Sequence, residues 1–253
     1  GHAALSADVM GSGSVAIGYA ALDAQNFTTA TTSHNTAVGR GAGGSITTGI
    51  QNSILGSQAA DALVDAHGNT AVGYNALTAD TEGNYSTAIG YGTLQAQNFT
   101  TNTTVHNVAV GYASGNDITT GQHNTLLGSG TGAKLTDTDF NVAVGSTALN
   151  DDVLGSRSTA VGYAALHAQN FTTATDSYNV AVGYNAGLSI STGQYNNLIG
   201  GLAGDSLTDA DYNIALGYGA LGADTQGSRS IAIGAETLKA QNFTTATNNH
   251  NIA

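Results

Sequence analysis

The sequence predicts an all-β protein, a parallel β-solenoid of about 14 stacked coils of 17 or 21 residues each. A short motif, Asn/Ser-x-Ala-Val/Ile-Gly, recurs along the whole of the 253-residue chain, which has 35 glycines and neither proline nor cysteine. Side chains alternate within the motif, as in a strand. Because strands this short cannot enclose a broad core, we expect equivalent strands of successive coils to pair in parallel, roughly 4.8 Å apart.

The glycine that closes the motif sets the coil length. The first such glycines are Gly18, Gly39, Gly56, Gly73 and Gly90, so one long coil is followed by three short ones, and this series of four repeats as a superrepeat. We expect one repeat array with full superrepeats at 14–85, 86–157 and 158–229 and partial ones at 1–13 and 230–253. Both ends fall inside a coil, which indicates an excerpt of a longer fibre.

Each motif position has an expected role. In Ser14-Val15-Ala16-Ile17-Gly18 the branched residues are predicted to fill the thin interior, and the small Ala to face a closely approaching second chain. The Gly permits a sharp bend after the strand. Tyr-x-Ala-Leu, as at 74–77, is interpreted as a second short strand. The recurrent Asn or Ser is expected to form a ladder that bonds its own turn and the neighbouring coil.

Composition excludes several functions. A net charge of -12 with only five bases argues against nucleic-acid binding, which needs clustered Lys and Arg. No apolar run is long enough to span a bilayer. Without cysteine there is no disulfide framework and no Cys-based zinc site or nucleophile. No nucleophile elbow or phosphate loop is present and a uniform array offers no unique pocket, so we expect neither an enzyme nor a cofactor.

A coil this thin is predicted to need a partner. Each layer buries few branched side chains, and the free energy gained by this burial must offset an ordering cost of about 1.5 kcal/mol per residue. Association of identical chains along their length would supply the missing burial, and we expect a parallel homotrimer. The motif Ala is replaced in every fourth coil by Ile54, Leu126 or Leu198, and we expect these to contact their own copies across the trimer.

The stretch Asn-Thr-Ala-Val-Gly-Tyr-Asn-Ala-Leu at 69–77 resembles the head repeats of YadA-like trimeric autotransporter adhesins, and also similar arrays in phage tail fibres. The resemblance extends over the whole chain. It implies a left-handed β-roll, three parallel chains, an extracellular location and a role in cell adhesion. Both kinds of coil are longer than the autotransporter unit, which favours the phage-type relative or an independent bacterial surface fibre.

The long coils carry a polar loop with a phenylalanine. This loop is the alternative functional site, because an exposed aromatic beside amides is suited to contact a host-surface glycan or receptor; the simpler interpretation is that Phe tucks onto the coil edge or a neighbouring chain. The candidate contacts are Asn26, Phe27, Asn98, Phe99, Asn170, Phe171, Asn242 and Phe243.

Two further patterns have ligand-like spacing. Asp-x-Asp-x-Asn at 137–141 and 209–213 has the oxygen spacing that Ca²⁺ uses, although a solvated acidic turn explains it more simply. His34, His106 and His250 share one phase, but Tyr178 replaces the fourth copy, which argues against a required metal ligand. No metal site is therefore predicted. The weak calcium candidates are Asp137, Asp139, Asp209 and Asp211.

The leading expectation is a structural and adhesive segment: a trimeric rod on a virion tail fibre or a bacterial surface that supports or mediates attachment. The alternative is a binding module whose Phe-bearing loops contact a glycan or receptor.

Overall fold

The computed structural model describes all 253 residues and contains strands and turns but no helix. The chain forms two compact units, Gly1–Asn124 and Thr125–Ala253. In each unit a three-residue strand recurs once per coil and pairs in parallel with its neighbours. The predicted all-β parallel solenoid is therefore confirmed.

The strands are short and regularly spaced. The strands of the first unit are β1 Gly11–Ser12, β2 Val15–Ile17, β3 Thr31–Thr32, β4 Thr36–Val38, β5 Ser53–Leu55, β6 Thr70–Val72, β7 Gly83–Asn84, β8 Thr87–Ile89, β9 Thr103–Thr104 and β10 Val108–Val110. The strands of the second unit are β11 Thr125–Leu127, β12 Val142–Val144, β13 Gly155–Ser156, β14 Thr159–Val161, β15 Thr175–Asp176, β16 Val180–Val182, β17 Asn197–Ile199, β18 Ile214–Leu216, β19 Gly227–Ser228, β20 Ile231–Ile233 and β21 Thr247–Asn248.

The main sheet keeps the repeat in register. In the first unit its order is β2-β4-β5-β6-β8-β10, and in the second it is β11-β12-β14-β16-β17-β18-β20. Every pair aligns equivalent motif positions, for example Ala71 with Ala88. The two-residue strands pair separately, β1 with β3, β7 with β9, β13 with β15 and β19 with β21. The extra length of the long coils thus leaves the main register intact.

The predicted second strand is wrong. Tyr74-Asn75-Ala76-Leu77 is a run of turns, because Asn75 and Leu77 have φ of +54° and +55°. Alternating left-handed residues curl the chain instead of extending it. This curl brings Leu77 to the inside, where it is fully buried.

The predicted orientation of the strand is also wrong. The central Ala of the motif points into the coil and is fully buried, as at Ala71, Ala143 and Ala215. The branched residues on either side point outward, and Ile17 and Ile233 remain 57% and 58% exposed. In the coils of these three Ala residues the reason is the turn: its buried Leu77, Leu149 or Leu221 fills the narrow interior, so the strand opposite has room only for a methyl group.

Ile54, Leu126 and Leu198 follow the same rule. All three are buried inside their own chain, so the expected contact between copies through these residues is wrong. They fill space that the turns leave open. A Cβ added at Gly204 would lie 2.9 Å from Leu198 Cδ2, and one added at Gly132 would lie 3.0 Å from Leu126 Cδ2. The turns of the Leu126 and Leu198 coils carry these glycines. The turn of the Ile54 coil carries Ala60 instead, and Ile54 reaches Gly43 of the preceding coil, where an added Cβ would lie 2.9 Å from Ile54 Cδ1.

The motif glycine bends the chain at the end of each strand. Gly73 has a φ of +132°, and a Cβ there would lie 2.3 Å from the carbonyl oxygen of Gly90 in the next coil. Both the backbone conformation and the close stacking of coils therefore require glycine at this position.

The Asn ladder is confirmed. Asn52 donates its backbone N–H to Asn35 Oδ1 at 2.9 Å, and Asn69 repeats the bond to Asn52 Oδ1 at 3.0 Å. Each side-chain amide also donates to a turn of its own coil, as Asn52 Nδ2 does to the Ala66 carbonyl at 2.8 Å. These buried amides join the coils and satisfy backbone groups that water cannot reach.

Candidate interaction surface

The outward side of the main sheet carries aliphatic side chains in every coil of each unit. We define the outer face as the first and third residues of the three-residue strands. In the first unit the third-residue column is Ile17, Val38, Leu55, Val72, Ile89 and Val110. In the second unit it is Leu127, Val144, Val161, Val182, Ile199, Leu216 and Ile233.

Every residue of this column is aliphatic, and several are largely uncovered. Leu55 is 51% exposed and Ile199 is 45% exposed, although each has strands on both sides. The first-residue column mixes Val and Ile with Thr, Ser and Asn. Contiguous exposed apolar patches are uncommon on monomeric proteins and mark interaction sites.

The outer face carries no charged side chain in either column. The chain nevertheless has a net charge of -12, so its acids lie elsewhere on the coils. A face without charge can approach a second copy of the same acidic chain without bringing carboxylates together in the contact. The charge distribution therefore favours an apolar partner or a further copy.

Two aromatic columns border the outer face. The post-strand column follows the motif glycine, and Tyr91 in it stacks between Tyr74 and Tyr112 with ring centroids 5.5 Å apart on both sides. The pre-strand column precedes the ladder Asn. In it Tyr195 stacks between Tyr178 at 5.5 Å and Tyr212 at 4.8 Å.

Guanidinium groups extend the pre-strand column. Arg157 lies over the Phe140 ring at 4.7 Å, and Arg229 lies over the Tyr212 ring at 4.8 Å. These are cation–π contacts that hold the side chains along the coil edge. Because neighbours cover the faces of the inner rings, the columns present mainly ring edges. They frame the outer face and are poorly suited to stacking a sugar ring.

The Phe-bearing loops are closed onto the coil. Phe27, Phe99 and Phe171 are buried and Phe243 is half-buried, so the first three rings are not presented to a ligand by this chain. This burial agrees with the simpler interpretation of the loops. Asn26, Asn98, Asn170 and Asn242 are exposed, and their role in binding stays a prediction.

A carboxylate holds each of these loops in place, and it is buried at Asp80, Asp152 and Asp224 and half-buried at Asp8. Asp80 accepts hydrogen bonds from the backbone N–H of Gly83 at 3.1 Å, from that of Phe99 at 2.9 Å and from Gln97 Nε2 at 2.6 Å. Gln97 Nε2 also donates to Ser86 Oγ, and its Oε1 accepts from Asn107 Nδ2 at 2.9 Å. Ser replaces the ladder Asn at this level and bonds the incoming Gln.

Asp152 makes the same contacts in the second unit, with Gln169 Nε2 at 2.6 Å and the Phe171 N–H at 3.0 Å. Burial raises the pKa of both Asp80 and Asp152 above the usual value, while the donated hydrogen bonds lower each pKa in part. All donors converge on these carboxylates, so the network depends on an acceptor at this position. Its role is to fix the loop.

The structure brings together no group of three or more His, Cys, Asp or Glu residues that could hold a metal ion. Asp209 accepts from Thr192 Oγ1 and Asp211 accepts from the Gln194 N–H, so both carboxylates bond the preceding coil. Asp139 donates its backbone N–H to Ser156 Oγ at 3.0 Å, and Asp137 also has an interaction partner within the protein.

His34, His106 and His250, which share one position in the repeat, lie in the pre-strand column. His106 stacks on Tyr85 at 5.6 Å and packs against the tilted ring of His123 at 5.5 Å, so His and Tyr can replace each other at this position because both are flat rings. Both aromatic columns were missed from the sequence as structural units, although Tyr or His recurs at the same motif position in successive coils, as at Tyr74 and Tyr91.

The structure has no helix with the length and apolar character needed to span a membrane. No protein-family model, curated protein or solved structure matches the chain.

Proposed function

We propose that this chain is a structural and adhesive fibre segment whose copies assemble in parallel as a homotrimer. The observation that carries the proposal is the outer face: an uncharged apolar surface, repeated in every coil, that a single chain leaves exposed. In parallel copies, coils of equal length would bring the same apolar columns together at every level. The three-fold stoichiometry and left-handed winding rest on the resemblance to trimeric adhesin heads.

In this assembly the outer face would form the buried centre and the acidic turns would face solvent. The segment would then support attachment of a virion tail fibre or a bacterial surface fibre to its host, in an extracellular location. The proposed role is structural rather than catalytic, since the repeated features serve coil packing and assembly.

The mass of the folded chain in solution tests the assembly. We expect light scattering to give about three times the 25.2 kDa chain mass. A monomer would contradict the proposal, and a dimer would keep the outer face as the interface but overturn the stoichiometry.

Substitutions on the outer face locate the interface. Val161→Glu with Val182→Glu would place carboxylates in the proposed centre, and we expect a monomer. Val161→Thr with Val182→Thr keeps β-branched side chains and should only weaken assembly. The matched control, Thr172→Glu with Thr173→Glu on an exposed loop, should leave the mass unchanged. Equal masses for all variants, with strand content retained by circular dichroism, would place the interface elsewhere.

Attachment is tested separately. Beads coated with the assembled chain should be retained on layers of host cells more than uncoated beads. Retention equal to that of uncoated beads would restrict the segment to a spacer.

A further inference from the structure

The unit Gly1–Asn124 has a depression of about 280 Å³ on the turns of three successive coils. Its walls come from the first and third of these coils and its floor from the second. The residues on which its chemistry depends are Tyr19, Asp23, Arg40, Gly41, Gly44 and Asp61.

Two missing side chains create this depression. Gly41 has a φ of +67° and no atom within 4 Å of the position where a Cβ would lie, so it borders open space. At the equivalent positions of the next superrepeat the chain carries Ala113 and Asn116, and in the one after that Asn185 and Leu188. The same fold therefore accepts larger residues at both positions, and only this superrepeat leaves them empty.

Arg40 provides an unused donor at the depression. Of the five bases in the chain it is the only one whose side chain makes neither an ion pair nor a hydrogen bond within the protein. The other four bases are held by Asp151, Asp176, Asn248 and Glu236.

The two carboxylates provide acceptors on either side of the floor. Asp23 Oδ1 accepts from the Ser6 hydroxyl, and Asp61 Oδ1 accepts from the Thr78 hydroxyl. These bonds orient the carboxylates and leave the second oxygen of each for a ligand. Tyr19 stacks on His2 at 5.7 Å on one side, and no second ring or guanidinium covers it.

We propose that this depression binds one neutral sugar ring of a glycan. Sugar hydroxyls both donate and accept, so they can bond two carboxylates and a guanidinium at once. The uncovered part of the Tyr19 ring offers an apolar surface for the C–H face of the sugar. Arg40, Asp23 and Asp61 together carry a net charge of -1 on an acidic chain, which disfavours uronic and sialic acids. The volume lies just below the range of drug-sized ligand pockets and suits a single ring.

Saturation-transfer NMR on the intact chain tests this site with neutral hexoses, N-acetylhexosamines and glucuronic acid as probes. We expect transfer to at least one neutral sugar, with a dissociation constant on the order of 1 mM, and none to glucuronic acid. Transfer to glucuronic acid alone would overturn the neutral class. The absence of transfer to every neutral sugar would overturn the site.

Exchanges between superrepeats provide variants that the fold already tolerates. Gly44→Asn installs the residue found at 116, and Arg40→Tyr the residue found at 112. Each should weaken binding at least tenfold while the melting temperature stays within a few degrees. The control Asn116→Leu, which installs the residue of position 188 outside the depression, should bind like the parent. Unchanged binding by Gly44→Asn would place the sugar elsewhere and overturn the assignment.

Discussion

Two coils of the second unit, one with Ala160 at the centre of its strand and one with Leu198 there, fill the same interior from opposite sides. Around Ala160 the turn of the coil supplies Leu166, whereas around Leu198 the turn supplies Gly204. All these positions except the glycine are occupied by fully buried side chains. Leu198 also covers Gly187 of the preceding coil, where an added Cβ would lie 2.9 Å from Leu198 Cδ1. The interior therefore conserves volume across neighbouring coils and not the residue type at one position.

The largest expected effect comes from emptying the Leu-centred coil. Leu198→Ala should cost about 2–5 kcal/mol of unfolding free energy, because the flanking glycines cannot fill the cavity. Chemical denaturation of the purified chain measures this loss. Adding Gly204→Leu should recover at least half of it, since Leu221 occupies the same turn position at a similar φ. Additive losses in the double variant would show that the two sides do not share one volume.

The reverse exchange tests the Ala-centred coil. Ala160→Leu should cost about 1–3 kcal/mol through overpacking against the turn. Combining it with Leu166→Gly should restore part of the stability, as measured by the same denaturation midpoint. If Ala160→Leu alone leaves the stability unchanged, the interior beside Ala160 has room for a larger side chain and is not filled by Leu166.

At the level of the buried carboxylate, hydrogen bonds rather than side-chain volume fix the coil. Asp152→Asn keeps the size but turns one acceptor into a donor, and either amide orientation opposes an N–H of Gln169 or of the backbone. We expect a loss of about 1–3 kcal/mol, read from thermal unfolding. The neighbouring Asp151→Asn removes only exposed contacts, with Lys134 Nζ at 2.7 Å and His167 Nε2 at 3.9 Å, and should cost less than about 1 kcal/mol. Equal losses of stability in Asp152→Asn and Asp151→Asn would show that the buried carboxylate does not hold the loop in place.

The smallest effect is expected outside the interior. Tyr195→Ser interrupts a three-ring stack and should cost about 0.5–1.5 kcal/mol. Tyr218→Ser, at a tyrosine without a stacked neighbour, is the matched control and should cost less. A larger loss at Tyr218 would mean that ring stacking is not what the columns contribute.

Much of the backbone was predictable, because it follows from spacing. The regular intervals between motifs determined the parallel register, the motif glycine marked the bend, and the recurrent Asn predicted a ladder that Asn35 and Asn52 form. These features depend on positions that repeat in every coil, so a single sequence contains many copies of the signal.

The orientation of the strand was not predictable from alternation alone. A period of two separates Ala71 from Thr70 and Val72 but does not say which side is inside. Hydrophobic size favoured the branched residues as the core, and this was wrong because left-handed turn residues such as Leu77 already occupy the space. Left-handed Leu is rare, so local propensity gave no warning. The candidate surface was missed for the same reason.

The carboxylate network has a consequence for how the gene can change. Asp80 with Gln97, Asp152 with Gln169 and Asp224 with Gln241 recur once per superrepeat, and the coils between them follow one set order. Recombination that duplicates or deletes one whole superrepeat in frame would leave every coil beside a neighbour of the kind it already has. Loss of a single short coil would instead bring together coils that are not neighbours now, and loss of the short coil that carries Asp80 would deprive the next loop of its carboxylate. The number of coils can therefore change between generations in steps of four, without any new contact having to be selected.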